Sequence, residues 1–149
     1  MEDRTRNDRK GSFLVLVQFA CIAVLALAGS WVLPWWSWML FVLGLAVLGW
    51  AAVSLGVANI TALPEPTGGN TLSKRGIYRY VRHPMYLSVL LCGAALAFGA
   101  PTLLRWVALV VVGIDLVIKI RYEEARLTAR HPDYPELMQG VARLLPGVW

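Results

Sequence analysis

Five residues with chemical potential, Arg82-His83-Pro84-Met85-Tyr86, stand directly before an apolar stretch, and Gly76-Ile77-Tyr78 precedes them. Arginine and histidine can bind anions or move protons, and aromatic faces can hold cations. The same side chains could also anchor a membrane interface, with His83 merely preceding a proline that begins a helix. The residue types therefore leave two interpretations open, a binding site and a membrane anchor.

A second group of ionisable residues, Lys119, Glu123 and Glu124, closes the last apolar run. Lys119 and Glu123 are four residues apart, so they share a face if the helix continues. Asp115 lies one turn deeper on that face, inside the apolar run. An ionisable residue inside a membrane helix is costly and usually paired or functional. An ordinary ion pair between Lys119 and Asp115 is the alternative to a functional role.

The composition indicates that lipid is the solvent of this chain. Of its 149 residues, 58% are hydrophobic and 15% are charged, whereas an ordinary soluble domain is about a quarter charged. The net charge of +5 comes from basic residues that flank apolar runs and form no stripe of their own. We therefore expect a bilayer as partner and no nucleic acid.

Neither metal binding nor disulfide formation is predicted. Cys21 and Cys92 each lie inside an apolar run, and the spacing of a zinc site or of a disulfide framework is missing. We expect both to be small packed or lipid-facing residues.

Four apolar runs predict an all-α integral membrane fold with about four transmembrane helices in two tight hairpins. A helix of about 20 residues crosses the apolar core of a bilayer. The third run is shorter, but Pro84 can extend it as a first-turn residue. Pro34 and Gly99-Ala100-Pro101 predict the two tight reversals. The runs are Ser12 to Leu33, Trp35 to Ala58, Met85 to Gly99 and Pro101 to Ile120.

The chain has room for one domain. We divide it into a polar tail over 1–11, a helical hairpin over 12–58 and a catalytic core over 59–149. A basic start and Ala26-Leu27-Ala28 would also suit a secretory signal, but we expect a retained helix. Gly44, Gly49 and Gly56 in the second run are predicted to let helices approach closely.

Charge asymmetry predicts the orientation. Four spans place both termini and the polar loop over 59–84 on one side, and of the 14 Lys and Arg residues only Arg105 lies near the other. The positive-inside rule makes the basic side cytosolic, and tryptophans cluster around the opposite reversals as in an interface belt. We expect an integral protein of a prokaryotic inner membrane with both termini in the cytosol.

The two polar groups together carry a resemblance. Gly76-x-Tyr78-x-x-x-Arg82-His83-Pro84-x-Tyr86, followed by Glu123-Glu124-x-x-Leu127, Tyr134 and Arg143-Leu144-Leu145-Pro146, resembles the isoprenylcysteine carboxyl methyltransferase and phospholipid methyltransferase superfamily. The resemblance covers roughly residues 55–146. It implies a helical membrane enzyme that uses S-adenosylmethionine, with the cofactor pocket at the cytosolic face.

The resemblance also implies roles for individual residues. A pocket made by the 59–84 loop, the start of the third helix and the segment after the fourth helix would hold the cofactor. The resemblance places Lys119 near the acceptor, and we expect Arg82, Lys119 and Arg121 to be the catalytic residues. This chain has Lys119 where the carboxyl methyltransferases have Arg, and Ser88 where the family usually has Gly, which leaves the acceptor open. The expected cofactor contacts come from Thr71, Leu72, Tyr78, His83, Pro84, Met85, Tyr86, Glu123 and Glu124.

The function expected from these residues is S-adenosylmethionine-dependent methylation of a lipophilic or amphipathic acceptor at the membrane. The basic residues lean towards an anionic acceptor, such as an isoprenylcysteine-like carboxylate. Two alternatives stay open: a sterol-type membrane reductase that uses NADPH, and a non-enzymatic membrane scaffold with a degenerate motif.

Overall fold

The described part of the chain is helical. The computed structural model describes residues 2–55, 75–145 and 147. Within these ranges no β-strand forms, which confirms the all-α prediction, and one isolated parallel bridge joins Val81 to Ala142. The helices are α1 (Glu2–Leu27), α2 (Trp35–Leu55), α3 (Pro84–Gly99), α4 (Leu103–Arg130) and α5 (Tyr134–Leu137), and Gly76–Arg79 forms a 3₁₀ turn.

The helix bounds differ from the apolar runs at both ends of the chain. Helix α1 begins in the polar tail, at Glu2, and α4 continues through Arg130, beyond the predicted limit at Ile120. Hydropathy predicts where the chain can no longer lie in lipid, and it does not predict where the helix ends. The residues after Ile120 include Arg, Glu, Ala and Leu, which are good helix formers, so the helix continues. The reversal at Pro34 and the start of α3 at Pro84 are as predicted.

The helices pack in two pairs, α1 against α4 and α2 against α3, and α3 also packs against α4. One apolar cluster joins α1, α3 and α4, and it includes Leu25, Leu96 and Leu116. A second cluster, which includes Leu87, Ile120 and Leu144, lies beside the start of α3. The two clusters fix the start of α3 against the second half of α4.

Small residues set the distance between α2 and α3. A Cβ added at Gly44 would clash with Cys92, and the Ser37 hydroxyl donates to the Ala95 carbonyl. The predicted role of Gly44 in close packing is therefore confirmed. Gly49 has no neighbour within 4 Å of such an added Cβ, so its prediction was wrong, and Gly56 lies outside the described residues.

Arg105 holds one end of the bundle together. Its guanidinium is fully buried and donates to the carbonyls at the ends of α1 and α3, those of Leu25, Ser30, Leu96 and Ala100. The last four carbonyls of a helix have no partner within that helix. One arginine thus satisfies the open ends of two helices.

Two of the described helices are long and apolar enough to cross a membrane, over Arg9–Leu27 and Trp35–Leu55. Only 17% and 11% of these windows are buried, and outward-facing residues such as Leu16, Val42 and Val53 are exposed. Apolar surface of this extent suits lipid better than water. The shorter apolar helix Pro84–Gly99 is the third candidate, and the fourth predicted span stays a prediction.

Candidate active site

The start of α3 is built from the predicted polar group. His83 occupies the residue before the helix, and Pro84 follows at its first turn, where a proline loses no helix hydrogen bond. Just upstream, Gly76 has φ +54°, and an added Cβ there would clash with Ser54. The chain therefore approaches the end of α2 closely before it enters α3.

Glu123 on α4 receives two donors from this segment. The Tyr86 hydroxyl donates to its Oε1, and His83 Nδ1 lies 3.4 Å from its Oε2. The rings of His83 and Tyr86 are stacked, with centroids 5.6 Å apart. Both predicted groups, separated by 37 residues between Tyr86 and Glu123, thus meet at one carboxylate.

Glu124 is held by two arginines. Arg82 Nη1 lies 3.0 Å from its Oε1, and Arg143 Nε donates to its Oε2 over 2.8 Å. Adjacent residues of a helix point about 100° apart. The site nevertheless includes both Glu123 and Glu124, because α3 approaches one carboxylate and the strap at the end of the chain approaches the other.

The C-terminal strap, which we define as residues 138–144, closes over Arg82. Arg82 donates through Nε to the Val141 carbonyl and through Nη2 to the Met138 carbonyl, over 2.9 and 2.7 Å. The backbone N–H of Arg82 also donates to the Ala142 carbonyl over 2.8 Å. The strap and Glu124 together engage all three guanidinium nitrogens.

His83 lies between two carboxylates in a nearly dry position. Its Nε2 is 3.7 Å from Glu124 Oε1, too far for a hydrogen bond, and this buried nitrogen has no partner among the described residues. Burial alone would lower the pKa of His83, but the contact with Glu123 and the negative charges of Glu123 and Glu124 outweigh it and raise the pKa above its usual 6.5. The ring is therefore readily protonated.

The charges around Glu124 act in the opposite direction. Burial would raise the pKa of this carboxyl, but His83, Arg143 and Arg82 lower it to about 2. Tyr78 is half-buried near Glu123, and burial followed by that charge raises the pKa of its phenol to about 12. At neutral pH, Glu124 is therefore ionised and Tyr78 is a neutral hydroxyl.

Lys119 and Asp115 extend the site into the helix bundle. Lys119 is 1% exposed, donates to the Gln18 side-chain oxygen of α1, and lies 5.0 Å from the centroid of the Tyr86 ring. Asp115 is 3% exposed, and neither of its oxygens has a hydrogen-bond partner in the described part of the chain. The hydrogen bond of Lys119 goes to Gln18, and the charge of Lys119 also acts on Asp115, one turn away on α4.

The remaining predicted residues differ in position. Pro84 is fully buried and Met85 is half-buried at the first turn of α3. Arg121 is exposed on α4, beside the site in sequence but with no place among the contacts described above. Thr71 and Leu72, with most of the predicted pocket loop, lie outside the described residues.

A comparison with protein families decides the class. A family model described as phospholipid methyltransferase matches residues 32–132, more than half of the chain. The chain belongs to the phospholipid methyltransferase family. None of the curated proteins gives a significant match. The predicted resemblance is confirmed, although the match begins earlier than the expected residue 55 and ends before the C-terminal strap.

Membership of the phospholipid methyltransferase family implies methyl transfer at a membrane, in accord with the exposed apolar helices. The family match contains both Arg82–Tyr86 and Asp115–Glu124, the segments that meet in the structure. Gln18 and Arg143 lie outside it.

Sequence reasoning missed some participants in the site. Gln18 is the only amide side chain in the apolar run from Ser12 to Leu33, and that isolation could have indicated a buried partner. The carbonyls of Met138 and Val141 carry no such signal, because a backbone acceptor is independent of residue type.

Proposed function

We propose that the chain is an S-adenosylmethionine-dependent methyltransferase that acts at the membrane on a lipophilic or amphipathic acceptor. One observation carries the proposal: Glu123 receives Tyr86 and His83 at a single carboxylate. Family membership supports the reaction class, and this convergence supports the choice of Glu123 as its site.

The residues present fit such a cofactor. S-adenosylmethionine offers an ammonium, a sulfonium cation and an adenine ring, and it supplies a methyl group on sulfur. The Glu123 side chain keeps 17% of its surface exposed and can accept an ammonium. The face of Tyr78 suits a cation or a flat ring, and the unpartnered Nε2 of His83 can donate to a cofactor oxygen when protonated.

The chain's own residues then work by positioning. Tyr86 and His83 hold the Glu123 carboxylate in one orientation, so that little rearrangement accompanies binding. Arg82 and Glu124 hold the start of α3 against α4. Methyl transfer by in-line displacement needs alignment more than it needs a protein nucleophile.

The side of the membrane follows from charge. We infer that the site, both termini and the segment before α3 face the cytosol, with α3 and α4 as the second pair of spans. The cluster of Trp31, Trp38 and Phe41, with centroids 5.7–6.2 Å apart, lies after α1 and at the start of α2, away from the site. Aromatic clusters of this kind favour a membrane interface.

An anionic acceptor, such as an isoprenylcysteine-like carboxylate, is supported less by the contacts of the basic residues than by their types. The Arg82 guanidinium is occupied by Glu124 and the strap, and Lys119 has acidic residues one turn away on either side, Asp115 and Glu123. Neither cation is therefore an open receptor for a carboxylate.

The test is binding of cofactor products to the purified protein. S-adenosylhomocysteine at saturation should raise the melting temperature, because a ligand that prefers the folded state stabilises it. Isothermal titration against S-adenosylhomocysteine and NADPH provides the comparison between methyltransferase and reductase. An unchanged melting temperature with S-adenosylhomocysteine, or a clear preference for NADPH, would contradict the proposal.

A further inference from the structure

Gln18 is a polar residue on the face of α1 that packs against α4. Leu14 lies four residues before it, and Cys21 and Leu25 lie three and seven residues after it, which is the spacing of one helix face. Cys21 and Leu25 belong to the apolar cluster that joins α1 to α4, so a leucine at position 18 would continue this face. An amide in apolar surroundings costs free energy unless it is hydrogen-bonded. The partner of Gln18 therefore explains its presence.

That partner is Lys119 on α4. The ammonium of this buried lysine donates to the side-chain oxygen of Gln18 and lies 5.0 Å from the centroid of the Tyr86 ring. The charges of Asp115 and Glu123, one turn away on either side, also act on it. Gln18 thus adds a neutral acceptor that fixes one position for an ammonium that two acids attract.

Tyr86 joins this ammonium to the carboxylate of Glu123. The ammonium lies over the Tyr86 ring, the His83 ring stacks on it, and the Tyr86 hydroxyl donates to Glu123 Oε1. A cation over an aromatic ring attracts that ring, so an ammonium in a fixed position favours one position of the ring. The hydroxyl of a fixed ring then holds the carboxylate in one orientation.

We propose that Gln18 and Lys119 are a positioning pair for the carboxylate that binds the cofactor. Gln18 holds the ammonium over the Tyr86 ring, and the ring in turn fixes Glu123. The inference rests on the proposed methyltransferase function. It gives Lys119 a role other than contact with an acceptor, because its hydrogen bond and its place over the ring direct it at groups of the protein. Gln18 lies outside the segment that matches the family, so α1 contributes to the site from outside that segment.

Titration of S-adenosylhomocysteine into the full chain in lipid nanodiscs tests the effect on the cofactor site. Gln18→Leu should lower the affinity about two- to thirtyfold, the range that a cation over an aromatic ring contributes. Gln18→Glu keeps an acceptor oxygen and should keep the affinity of the parent chain. Leu25→Ala is the matched control, because a cavity in the same face of α1 should lower the melting temperature and leave the affinity unchanged.

A double-variant cycle separates this role from a general contribution to packing. If Gln18 acts only through Lys119, Lys119→Met already removes what Gln18 contributes. Gln18→Leu added to Lys119→Met should then cause no further loss of affinity, whereas two independent contributions would add. An additive loss overturns the positioning pair, and so does a Gln18→Leu variant that binds S-adenosylhomocysteine as tightly as the parent chain.

Fluorine NMR of the chain labelled with 3-fluorotyrosine tests the hold on the ring without the cofactor. The resonance of Tyr86, assigned by its loss in Tyr86→Phe, should shift in Gln18→Leu and stay in place in Gln18→Glu and Leu25→Ala. A resonance that does not move in Gln18→Leu overturns the hold of Gln18 on the ring. If the parent chain does not bind S-adenosylhomocysteine, the proposed function fails, and this resonance still decides whether Gln18 holds the ring. If Gln18→Leu does not fold, Gln18→Met, which keeps the length of the side chain, takes its place in both measurements.

Discussion

Arg82 Nη1 lies 3.0 Å from Glu124 Oε1. This contact joins the segment before α3 to the last third of α4. The other guanidinium nitrogens bond to the C-terminal strap. The pair therefore connects three separate segments, and its charges compensate one another. Glu123, one residue along, keeps part of its surface exposed and stays available for a ligand.

Replacing Arg82 with lysine should destabilise the protein. Lysine cannot reproduce a guanidinium that bonds in three directions, and it leaves Glu124 and the Met138 and Val141 carbonyls short of donors. We expect a loss of about 1.5–3 kcal/mol, the range for hydrogen bonds to a charged group, measured as reversible unfolding in detergent. Arg121→Lys, at an exposed position of α4, is the matched control. Equal stability of the two variants would show that the Arg82 contacts contribute little.

Replacing Glu123 with glutamine should weaken cofactor binding. The change keeps the shape of the side chain and removes the charge that would accept an ammonium. A charge-assisted hydrogen bond contributes about 1.5–3 kcal/mol, so we expect roughly a ten- to hundredfold loss of affinity for S-adenosylhomocysteine. Isothermal titration measures the change.

Glu124→Gln separates a binding role from a structural one at the neighbouring position. Because Glu124 is held by Arg82 and Arg143, its loss should lower the melting temperature more than Glu123→Gln does, and it should affect cofactor affinity less. The reverse pattern, with cofactor binding lost only in Glu124→Gln, would mean that Glu124 is the ligand-binding carboxylate.

The sequence predicts the helix positions well where a single physical signal decides them. Pro34 and Pro84 place the reversal and the start of α3, since proline restricts where a helix can run. The length of α4 was not predictable from hydropathy, because the helix leaves the apolar region while its hydrogen bonds continue to Arg130.

The site was predictable in part for a related reason. Residues such as His83, Tyr86 and Glu123 carry side chains whose chemistry stands out in an apolar chain. The pairing of Lys119 with Gln18 was not predicted, because it depends on how α1 packs against α4. Helical spacing indicates which residues are neighbours on one helix, as for Lys119 and Asp115. It gives no information about a hydrogen-bond acceptor on another helix, such as Gln18 on α1.

The stability of the protein should depend on pH through His83. Its pKa is raised above 6.5 in the folded chain by Glu123 and Glu124, despite burial. A raised pKa means that the contribution to stability is fully present below about pH 6.5 and is lost as the pH rises through the folded-state pKa. The melting temperature should therefore fall above pH 6.5, and His83→Gln should flatten that part of the profile.

Glu124 produces the opposite limb of the same profile. Its pKa is lowered from 4.5 to about 2, so its contribution is present above pH 4.5 and is lost as the pH falls towards 2. Melting temperatures between pH 3 and 9 should show a maximum between the two limbs. If His83→Gln leaves the alkaline limb unchanged, another group causes it.

Labelling of single cysteines should place the site in the cytosol. Both native cysteines, Cys21 and Cys92, are first replaced by serine. Arg79→Cys then places a thiol at an exposed position of the 3₁₀ turn before α3. Val32→Cys places one between α1 and α2, at a position where the native side chain is 87% exposed. The excess of Lys and Arg on the side of Arg79 predicts that this side stays inside. A maleimide that cannot cross membranes should therefore label Val32→Cys on intact cells and Arg79→Cys only after permeabilisation. Labelling of Arg79→Cys from outside an intact membrane would reverse the proposed orientation, and with it the access of a cytosolic cofactor to Glu123.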